Sequence, residues 1–427
     1  QSIDGVGFTP DFVWIKNRTD ATNNHNLFDT VRGVNKFLAS NLTSAETTQS
    51  ESLSSFDSDG FTVRNAQSVN RSGYPIVGWC WDAGDNQPST GHSSILYKGS
   101  GGVISLKGFG FSPDLVWIKN RTGAAQNHML FDSVRGPNLR LQPDNTATEF
   151  NQTGSLISFD ADGFSFGTST GNLNSTSSNY VAWGWDAGDG DPVSNTTGDI
   201  NSTVKANDAT GFSVVSYTGN GTNGATVGHG LSTTPSVVIV KDRNNTNNWA
   251  VYHKDLTSTS HSLVLNSSAA ETNYGSSFIA PASSTLSLAN GSQLNASSRA
   301  YIAYCFSEVS GVSKFDTYTG TGSAGKAITG LGFRPGFLMI KETSSTGNWA
   351  IVDGTRSPFG EVAGDYLYAN LSQAEGGGAA PLQFDSDGFT INSGDSDTNS
   401  SGQTYIYMAF KGSYSDHVSP LNDTGTI

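Results

Sequence analysis

One ten-residue pattern occurs four times along this chain, and it constrains the fold more than any other feature. The clearest copies are Gly7-Phe-Thr-Pro-Asp-Phe-Val-Trp-Ile-Lys16 and Gly110-Phe-Ser-Pro-Asp-Leu-Val-Trp-Ile-Lys119, and looser copies lie at 235–241 and 332–341. The prolines in these copies recur at intervals of roughly 100–120 residues, the size of one small domain. The repeat therefore predicts four related modules in tandem.

Each module contains further short apolar segments separated by turn residues. The pattern Ser-Phe-Asp-x-Asp-Gly-Phe occupies 55–61 and 158–164, and a close copy occupies 383–389. An Asp-Gly pair between apolar residues predicts a hairpin with a type I′ turn, whose centre needs positive φ. About seven short strands per module, with turns every 8–12 residues, predict an antiparallel sandwich of the jelly-roll type. We expect an all-β protein of four such modules in an elongated array.

The repeat also places the module boundaries. Modules 1 to 4 are predicted at 1–85, 86–190, 191–309 and 310–412, with a C-terminal tail at 413–427. The stretch 191–210 is either a spacer or the source of an additional strand, and we assign it as a linker that opens module 3.

Module 1 is the incomplete copy. It lacks the leading Tyr-x-Gly-x-Gly segment that the other modules begin at Tyr97, Tyr217 and Tyr318. A sheet without this strand has an unpaired edge. Upstream chain, the 413–427 tail or a neighbouring subunit could supply the missing strand, or the module simply has one strand fewer.

Composition excludes several classes of protein. The net charge is −14 over 427 residues, and only 14% of residues are charged, which argues against binding to nucleic-acid phosphates. Aromatic residues make up 11%, so the chain does not have a disordered composition. No apolar run approaches the roughly 18 residues that span a bilayer. Gln1 is expected to be a processed or partial N-terminus, and Cys80 and Cys305 are expected to be unpaired thiols in strands.

Several polar residues recur at matching positions and are candidate sites. The Asp-x-x-Arg motif is either an anion or sugar site or a charge-assisted bond that holds a loop. The binding candidates are Asp29, Arg32, Asp132 and Arg135, together with His253, which replaces the aspartate in module 3. The Asp-x-Asp-Gly turns are hairpins or, as the alternative, calcium ligands, which would need six to eight oxygens. The calcium candidates are Asp57, Asp59, Asp160, Asp162, Asp385 and Asp387.

Two further side-chain types recur. His25 and His128 occupy matching positions without a carboxylate or cysteine cluster beside them, which does not favour a metal or catalytic site. Every tryptophan lies at a repeated strand position, so all of them are expected in the core. No motif of an enzyme class is present, and we expect neither enzymatic activity nor a cofactor.

Taken together, these motifs resemble a repeated β-domain of unassigned function found in tail-fibre-like and virion-surface proteins of marine bacteriophages. The resemblance covers essentially the whole chain; module 3 departs most, because it lacks the Asp-x-Asp-Gly turn. It implies a non-enzymatic protein of the virion surface, a tail fibre or appendage involved in host attachment. The alternatives are a capsid-decorating or purely structural fibre protein, and a secreted glycan-binding protein. Expected partners are other virion proteins, copies of the chain itself, or a host-surface glycan or protein, with no nucleic acid and no membrane insertion.

Overall fold

The structure, a computed structural model, is all-β, as the sequence predicts. It describes residues 1–6, 9–20, 22–30, 32–57, 59–81, 91–122, 125–168, 171–275, 278–356 and 363–412. Over these residues it contains many short antiparallel strands, one α-helix and one 3-10 helix. The chain divides into two compact units, of which one contains module 1 and the other comprises residues 88–413. The tail predicted at 413–427 lies outside the described residues.

Module 1 is a two-layer sandwich. Its elements are β1 (Ser2–Asp4), β2 (Phe12–Asn17), β3 (Asn26–Asp29), β4 (Lys36–Ala39), β5 (Thr47–Thr48), β6 (Leu53–Asp57), β7 (Gly60–Val63), α1 (Gln67–Asn70) and β8 (Ile76–Trp81). The larger sheet has the order β5-β4-β3-β2-β8 and the smaller one β1-β7-β6. Val13, Ile15 and Phe28 of the larger sheet pack with Phe61 and Val63 of the smaller one.

Module 2 has the same plan with one strand more. Its elements are β9 (His92–Lys98), β10 (Ile104–Lys107), β11 (Leu115–Asn120), β12 (Met129–Asp132), β13 (Leu139–Arg140), β14 (Phe150–Asn151), β15 (Leu156–Asp160), β16 (Gly163–Phe166), a 3-10 turn (Gly171–Leu173) and β17 (Asn179–Trp185). The larger sheet has the order β12-β11-β17-β9, and the smaller sheet is β10-β16-β15. Strand β9 pairs with β17 through the register Tyr97 to Tyr180. In module 1 no described strand takes the place of β9 beside β8.

The strands of module 3 begin within the stretch predicted to be a linker. Its strands are β18 (Val193–Asn195), β19 (Ser202–Asn207), β20 (Phe212–Thr218), β21 (Ala225–Gly228), β22 (Val237–Asp242), β23 (Ala250–His253), β24 (His261–Val264), β25 (Thr272–Asn273), β26 (Ile279–Pro281), β27 (Thr285–Leu288) and β28 (Ala300–Phe306). The larger sheet has the order β18-β19-β20-β28-β22-β23-β24-β25, and the smaller one is β21-β27-β26. The stretch 191–210 is therefore not a linker, because β18 and β19 extend the larger sheet.

Module 4 joins its two layers through continuous pairing. Its strands are β29 (Ser313–Thr319), β30 (Lys326–Thr329), β31 (Pro335–Glu342), β32 (Ala350–Asp353), β33 (Ala363–Tyr368), β34 (Gly376–Asp385), β35 (Gly388–Ile391) and β36 (Thr404–Lys411). They follow the order β29-β36-β31-β32-β33-β34-β35-β30. The pairing of β33 with β34 carries the chain from one layer to the other.

The larger sheets of modules 2, 3 and 4 are apolar on both faces. In β17, Tyr180 and Ala182 pack against the smaller sheet of the same module. On the opposite face, Val181, Trp183 and Trp185 enter a second core, to which all three modules contribute. In the described residues, modules 2, 3 and 4 are therefore three sandwiches closed around one shared core. The expectation of an elongated array is wrong for these modules, because their second apolar faces cover one another.

The Asp-x-Asp-Gly segments form hairpins, but not of the expected type. In module 2 the last paired residues are Asp160 and Gly163, so Ala161 and Asp162 form the turn. Among the described residues other than glycine, only Ser177 and Ser298 have positive φ. The turn is therefore not type I′, and the glycine follows the turn instead of lying at its centre.

Candidate functional site

The candidate residues Asp132 and Arg135 lie between modules 2 and 3. Arg135 donates from Nε to Asp132 Oδ2 at 2.5 Å and from its backbone N–H to Asp132 Oδ1 at 2.8 Å. Both side chains are fully buried, and the hydroxyl of Tyr304 in module 3 donates to Asp132 Oδ2 at 2.7 Å. Burial alone would lower the pKa of Arg135, but Asp132, Tyr304 and Glu149 raise it well above its ordinary value. The pair is a charge-assisted bond enclosed by the protein's own groups.

The same arrangement recurs between modules 4 and 2. Arg356 donates from Nε to Asp353 Oδ2 at 2.5 Å, and the indole N–H of Trp183 in module 2 donates to the same oxygen at 3.0 Å. Strand pairing places Trp183 and Tyr304 at equivalent positions of their closing strands, β17 and β28. Each aspartate thus accepts a donor from the closing strand of a neighbouring module.

His253 of module 3 occupies the position that is aspartate in modules 2 and 4. The residue that faces it from module 4 explains why it is not an aspartate. Strand register aligns His253 with Asp132 and Asp353. It also aligns Met408 of module 4 with Trp183. Methionine has no N–H or O–H group, so a buried carboxylate at position 253 would lack the donor that the two aspartates receive. Burial lowers the pKa of His253 to about 4, which keeps the ring neutral near pH 7.

A second set of contacts joins ring nitrogens to backbone carbonyls. Strand register aligns His128, Trp249 and Trp349. His128 Nδ1 accepts the indole N–H of Trp117 at 2.8 Å, so Nε2 carries the hydrogen and donates it. Each ring reaches a carbonyl of another module: Trp249 to Gln142 at 3.0 Å, Trp349 to Val264 at 3.0 Å, and His128 to Tyr368 at 3.0 Å.

A third set of contacts is made by the lysine that ends the ten-residue pattern. Each ammonium donates to a carbonyl of another module: Lys241 to Thr146 at 3.0 Å, Lys341 to Ser268 at 3.2 Å, and Lys119 to Ser372 at 2.8 Å. Burial lowers the pKa of each of these lysines to about 8. In modules 2, 3 and 4 the repeated lysine therefore joins its own module to a neighbouring one.

A fourth set is made by the glutamate that directly precedes β14, β25 or β34. Each glutamate donates its backbone N–H to a carbonyl of another module: Glu149 to Arg243 at 2.9 Å, Glu271 to Thr343 at 3.0 Å, and Glu375 to Arg121 at 3.2 Å. Two arginines also bind the glutamate side chain, with Arg243 on Glu149 at 2.8 Å and Arg121 on Glu375 at 2.7 Å.

The side-chain donors of these sets have one direction. Side chains of module 3 donate to module 2, those of module 4 donate to module 3, and those of module 2 donate to module 4, whereas the backbone N–H groups of the three glutamates donate the opposite way round the ring. The contacts therefore close a ring of three, with approximate threefold symmetry. A head-to-tail interface of this kind closes when its rotation returns to the start.

The centre of the ring is not a ligand pocket. The space enclosed between Trp185, Phe306 and Phe410 has a volume of about 20 Å³ and apolar walls. Ligand sites usually enclose several hundred cubic ångströms. The core serves to hold the modules together.

The candidate calcium residues bind the backbone and hydroxyls around their own hairpins. Their contacts are Asp57 with Thr62 at 2.7 Å, Asp59 with the N–H of Gly5 at 3.1 Å, Asp160 with Ser165 at 2.5 Å, Asp162 with the N–H of Gly110 at 2.7 Å, Asp385 with Thr390 at 2.7 Å, and Asp387 with the N–H of Gly332 at 2.6 Å. In the part of the chain that the structure describes, no three His, Cys, Asp or Glu side chains are placed to hold a metal ion.

Module 1 carries the same polar residues on an exposed face. Trp14 donates its indole N–H to His25 Nδ1 at 2.9 Å, and Arg32 donates from Nε to Asp29 Oδ2 at 2.6 Å. Trp79 and Trp81 are 43% and 39% exposed. The expectation that every tryptophan is core is therefore wrong for these two.

Module 1 has a groove beside β8, where no described strand corresponds to β9. Its volume is about 330 Å³, and its lining includes Ile76 and Gly78 of β8 together with Ile3 and Phe61. In module 2 the equivalent space is filled by Tyr97, which stacks on Tyr180 at 4.8 Å.

These features define a class of protein, an all-β repeat protein whose sandwich modules assemble through a shared core. Residues 1–95 and 87–413 match the family described as a domain of unknown function (DUF7483), and the chain belongs to that family. The second match spans all three modules of the closed unit. Neither the curated proteins nor the solved structures contain a match to the chain. Within the described residues, no helix is both long enough and apolar enough to cross a membrane.

Sequence reasoning located the aspartate, arginine and histidine positions but missed what they bind. The ten-residue pattern did contain a signal for a contact between modules, because Leu115 and Trp117 alternate with the equally apolar Val116 and Ile118. A sandwich with one solvated face needs only one of these sets. The second set indicates a further apolar partner.

Proposed function

We propose that this chain is a non-enzymatic surface protein of a bacteriophage virion, a tail fibre or similar appendage that takes part in host attachment. The proposal builds on the resemblance of the repeated motifs to virion-surface proteins. A rigid ring of sandwiches suits such a role, because binding loops are commonly presented by a scaffold that does not move.

One observation carries the non-enzymatic part of the proposal. The candidate side chains that could act in catalysis are Asp132, Arg135 and His253. All three are buried between modules and contact the chain's own groups. Substrate would have to displace Tyr304 to reach Asp132. The groups available to a partner are therefore those of the surface loops.

Strand β25 of module 3 and the residue that follows it form the surface where we expect a ligand contact. It contains Tyr274, which is 39% exposed and stacks on Phe278 with ring centroids 4.5 Å apart. Thr272 and Asn273 beside it are also exposed. An exposed, rigid tyrosine next to small polar side chains is the composition of many protein paratopes.

Binding of the folded chain to host cells tests the proposal. We expect saturable binding of fluorescently labelled protein to host cells, weakened at least several-fold by Tyr274→Ala. The matched control is Val103→Ala, which removes an exposed apolar side chain from module 2. Phage particles that lack the protein but keep unchanged appendages and unchanged adsorption would contradict the proposal.

The alternatives give different results in the same experiments. A capsid-decorating or purely structural fibre protein would be present in virions, but the isolated chain would not bind cells. A secreted glycan-binding protein would bind a defined glycan on an array and would be absent from purified particles.

A further inference from the structure

The exposed face of module 1 corresponds to the face that modules 2, 3 and 4 bury in their ring. Strand register aligns Trp79 with Trp183 and Trp81 with Trp185. Trp183 and Trp185 are 0% and 3% exposed, whereas both module 1 residues are about two-fifths exposed. On the same face, Leu38 is 38% exposed while its equivalent, Leu141, is fully buried.

An exposed apolar patch of this kind marks an interaction surface. The alternation along β2 shows how selective the exposure is. Val13 and Ile15, which face the smaller sheet of module 1, are fully buried, whereas Phe12 and Trp14, which point the other way, are only half-buried.

Module 1 also retains both halves of the polar contacts that close the ring in modules 2 to 4. Trp79 corresponds to the donor Trp183, and Asp29 corresponds to the acceptor Asp353. One module therefore carries both the donor and the acceptor that a head-to-tail contact between identical copies requires.

The ring nitrogen contact is conserved in the same way between module 1 and module 2. The bond from Trp14 to His25 Nδ1 leaves the hydrogen on Nε2 of His25, as it does in His128. The carbonyl that would accept it belongs to Ala39, the register equivalent of Val264.

The charged contact is also complete. Arg18 directly follows β2, as Arg243 follows β22. Glu46 directly precedes β5, as Glu271 precedes β25 in module 3. In module 1 the Arg18 side chain is exposed, and Glu46 forms an ion pair with the exposed Lys36 at 3.3 Å.

We propose that three copies of this chain associate through module 1, and that their module 1 faces close into a ring built like the one that modules 2, 3 and 4 form within a single chain. Trp79 of each copy donates to Asp29 of the next, Arg18 pairs with Glu46 of the next, and Trp81 enters the common core. The assembly is a true threefold version of the pseudo-threefold ring.

The mass of the 427-residue chain in solution tests this assembly. Light scattering or native mass spectrometry should give three times 44.9 kDa. A mass of 44.9 kDa at the highest concentration reached, or a dimer, would overturn the proposal.

A charge swap tests whether module 1 makes the contact. Arg18→Glu and Glu46→Arg should each shift the population to monomer, because like charges then face each other at all three contacts. The double variant should restore the trimer, since each contact again joins opposite charges. A merely structural role for either residue would not produce this rescue.

The matched control is Arg64→Glu, which makes the same change at an exposed site outside this face. It should leave the trimer intact, and circular dichroism should show that all four variants are folded. A trimer that survives both single substitutions would assign the assembly to another surface and overturn the proposal.

Discussion

The indole N–H of Trp117 donates to Nδ1 of His128 at 2.8 Å, and this bond decides which nitrogen of the imidazole faces module 4. The pair is coupled in every module. Module 1 has Trp14 with His25. In the other two modules, where the strand residue is Ile239 or Met339 and has no N–H to donate, the ring is a tryptophan.

A double-mutant cycle should expose this coupling. Trp117→Met leaves His128 Nδ1 without its donor, and His128→Trp leaves the indole N–H of Trp117 without its acceptor. We expect each single change to cost about 1–3 kcal/mol, the usual penalty for an unsatisfied buried group. The double variant reproduces the pair found in module 4, so it should be less destabilised than the sum by about 0.5–3 kcal/mol. Denaturant unfolding followed by tryptophan fluorescence measures the four free energies. Strict additivity would contradict the coupling.

Mild acid should destabilise the closed unit through its buried histidines. Burial lowers the pKa of His92 to about 3 and of His253 to about 4, and it lowers the pKa of His128 well below its ordinary value. Below pH 6.5 the unfolded chain therefore binds protons at these residues that the folded chain does not bind. Stability should fall as pH falls from 6.5 to 5, with a slope of up to about 1.4 kcal/mol per pH unit for each histidine.

The melting temperature between pH 6.5 and 5 measures this effect. The informative variant is His92→Phe, because Phe212 occupies the equivalent position in module 3. It removes one of the four buried histidines whose pKa is lowered, the fourth being His229, and should make the pH dependence shallower. An unchanged slope would mean that His92 already takes up its proton in the folded state.

Breaking the buried ion pair at the ring should be far more costly than breaking an exposed one. Arg135→Met leaves Asp132 and Glu149 facing each other without their shared cation. We expect a loss of about 3–5 kcal/mol in the free energy of unfolding. The control is Lys314→Met, whose pair with Glu308 is partly exposed and should contribute less than about 1 kcal/mol. If the two variants lose similar free energies of unfolding in urea, the Asp132–Arg135 pair does not behave as a buried ion pair.

The sequence predicted individual modules much better than their assembly. Both alternating sets of side chains in β11, represented by Val116 and Trp117, are apolar in the sequence, and the structure buries both faces of this strand. They could not show what covers the second face, because a sheet of the same module and a neighbouring module are equally apolar. The closure of three modules depends on contacts between residues more than 100 positions apart, such as Asp132 and Tyr304, which no local pattern encodes.

The same limit explains the error over tryptophan. Trp79 and Trp183 have equivalent local sequences, so a repeat-based argument assigns both to the core. Burial of Trp183 requires Asp353 and Phe337 of another module, which lie at 3.0 Å and at a ring distance of 5.9 Å. Equivalent residues therefore have different environments when one module belongs to a ring within the chain and another does not.

The glycine that follows each Asp-x-Asp turn should be irreplaceable because of a neighbouring strand. A Cβ atom at Gly163 would lie 2.0 Å from the carbonyl oxygen of Leu106 in β10, and equivalent close approaches occur at Gly60 and Gly388. The obstacle is backbone, so β10 would have to move and lose its pairing with β16. Gly163→Ala should cost about 2–4 kcal/mol of unfolding free energy, a large effect for a single methyl group.

The matched control for this prediction is Gly102→Ala in the same module. A Cβ there meets no atom within 4 Å, and the substitution should be neutral or stabilising by up to about 1 kcal/mol, because alanine restricts the unfolded chain. Thermal unfolding of the two variants separates the close approach from the general effect of replacing glycine. Equal stability of the two variants would show that β10 yields at no cost and that the glycine is not required by packing.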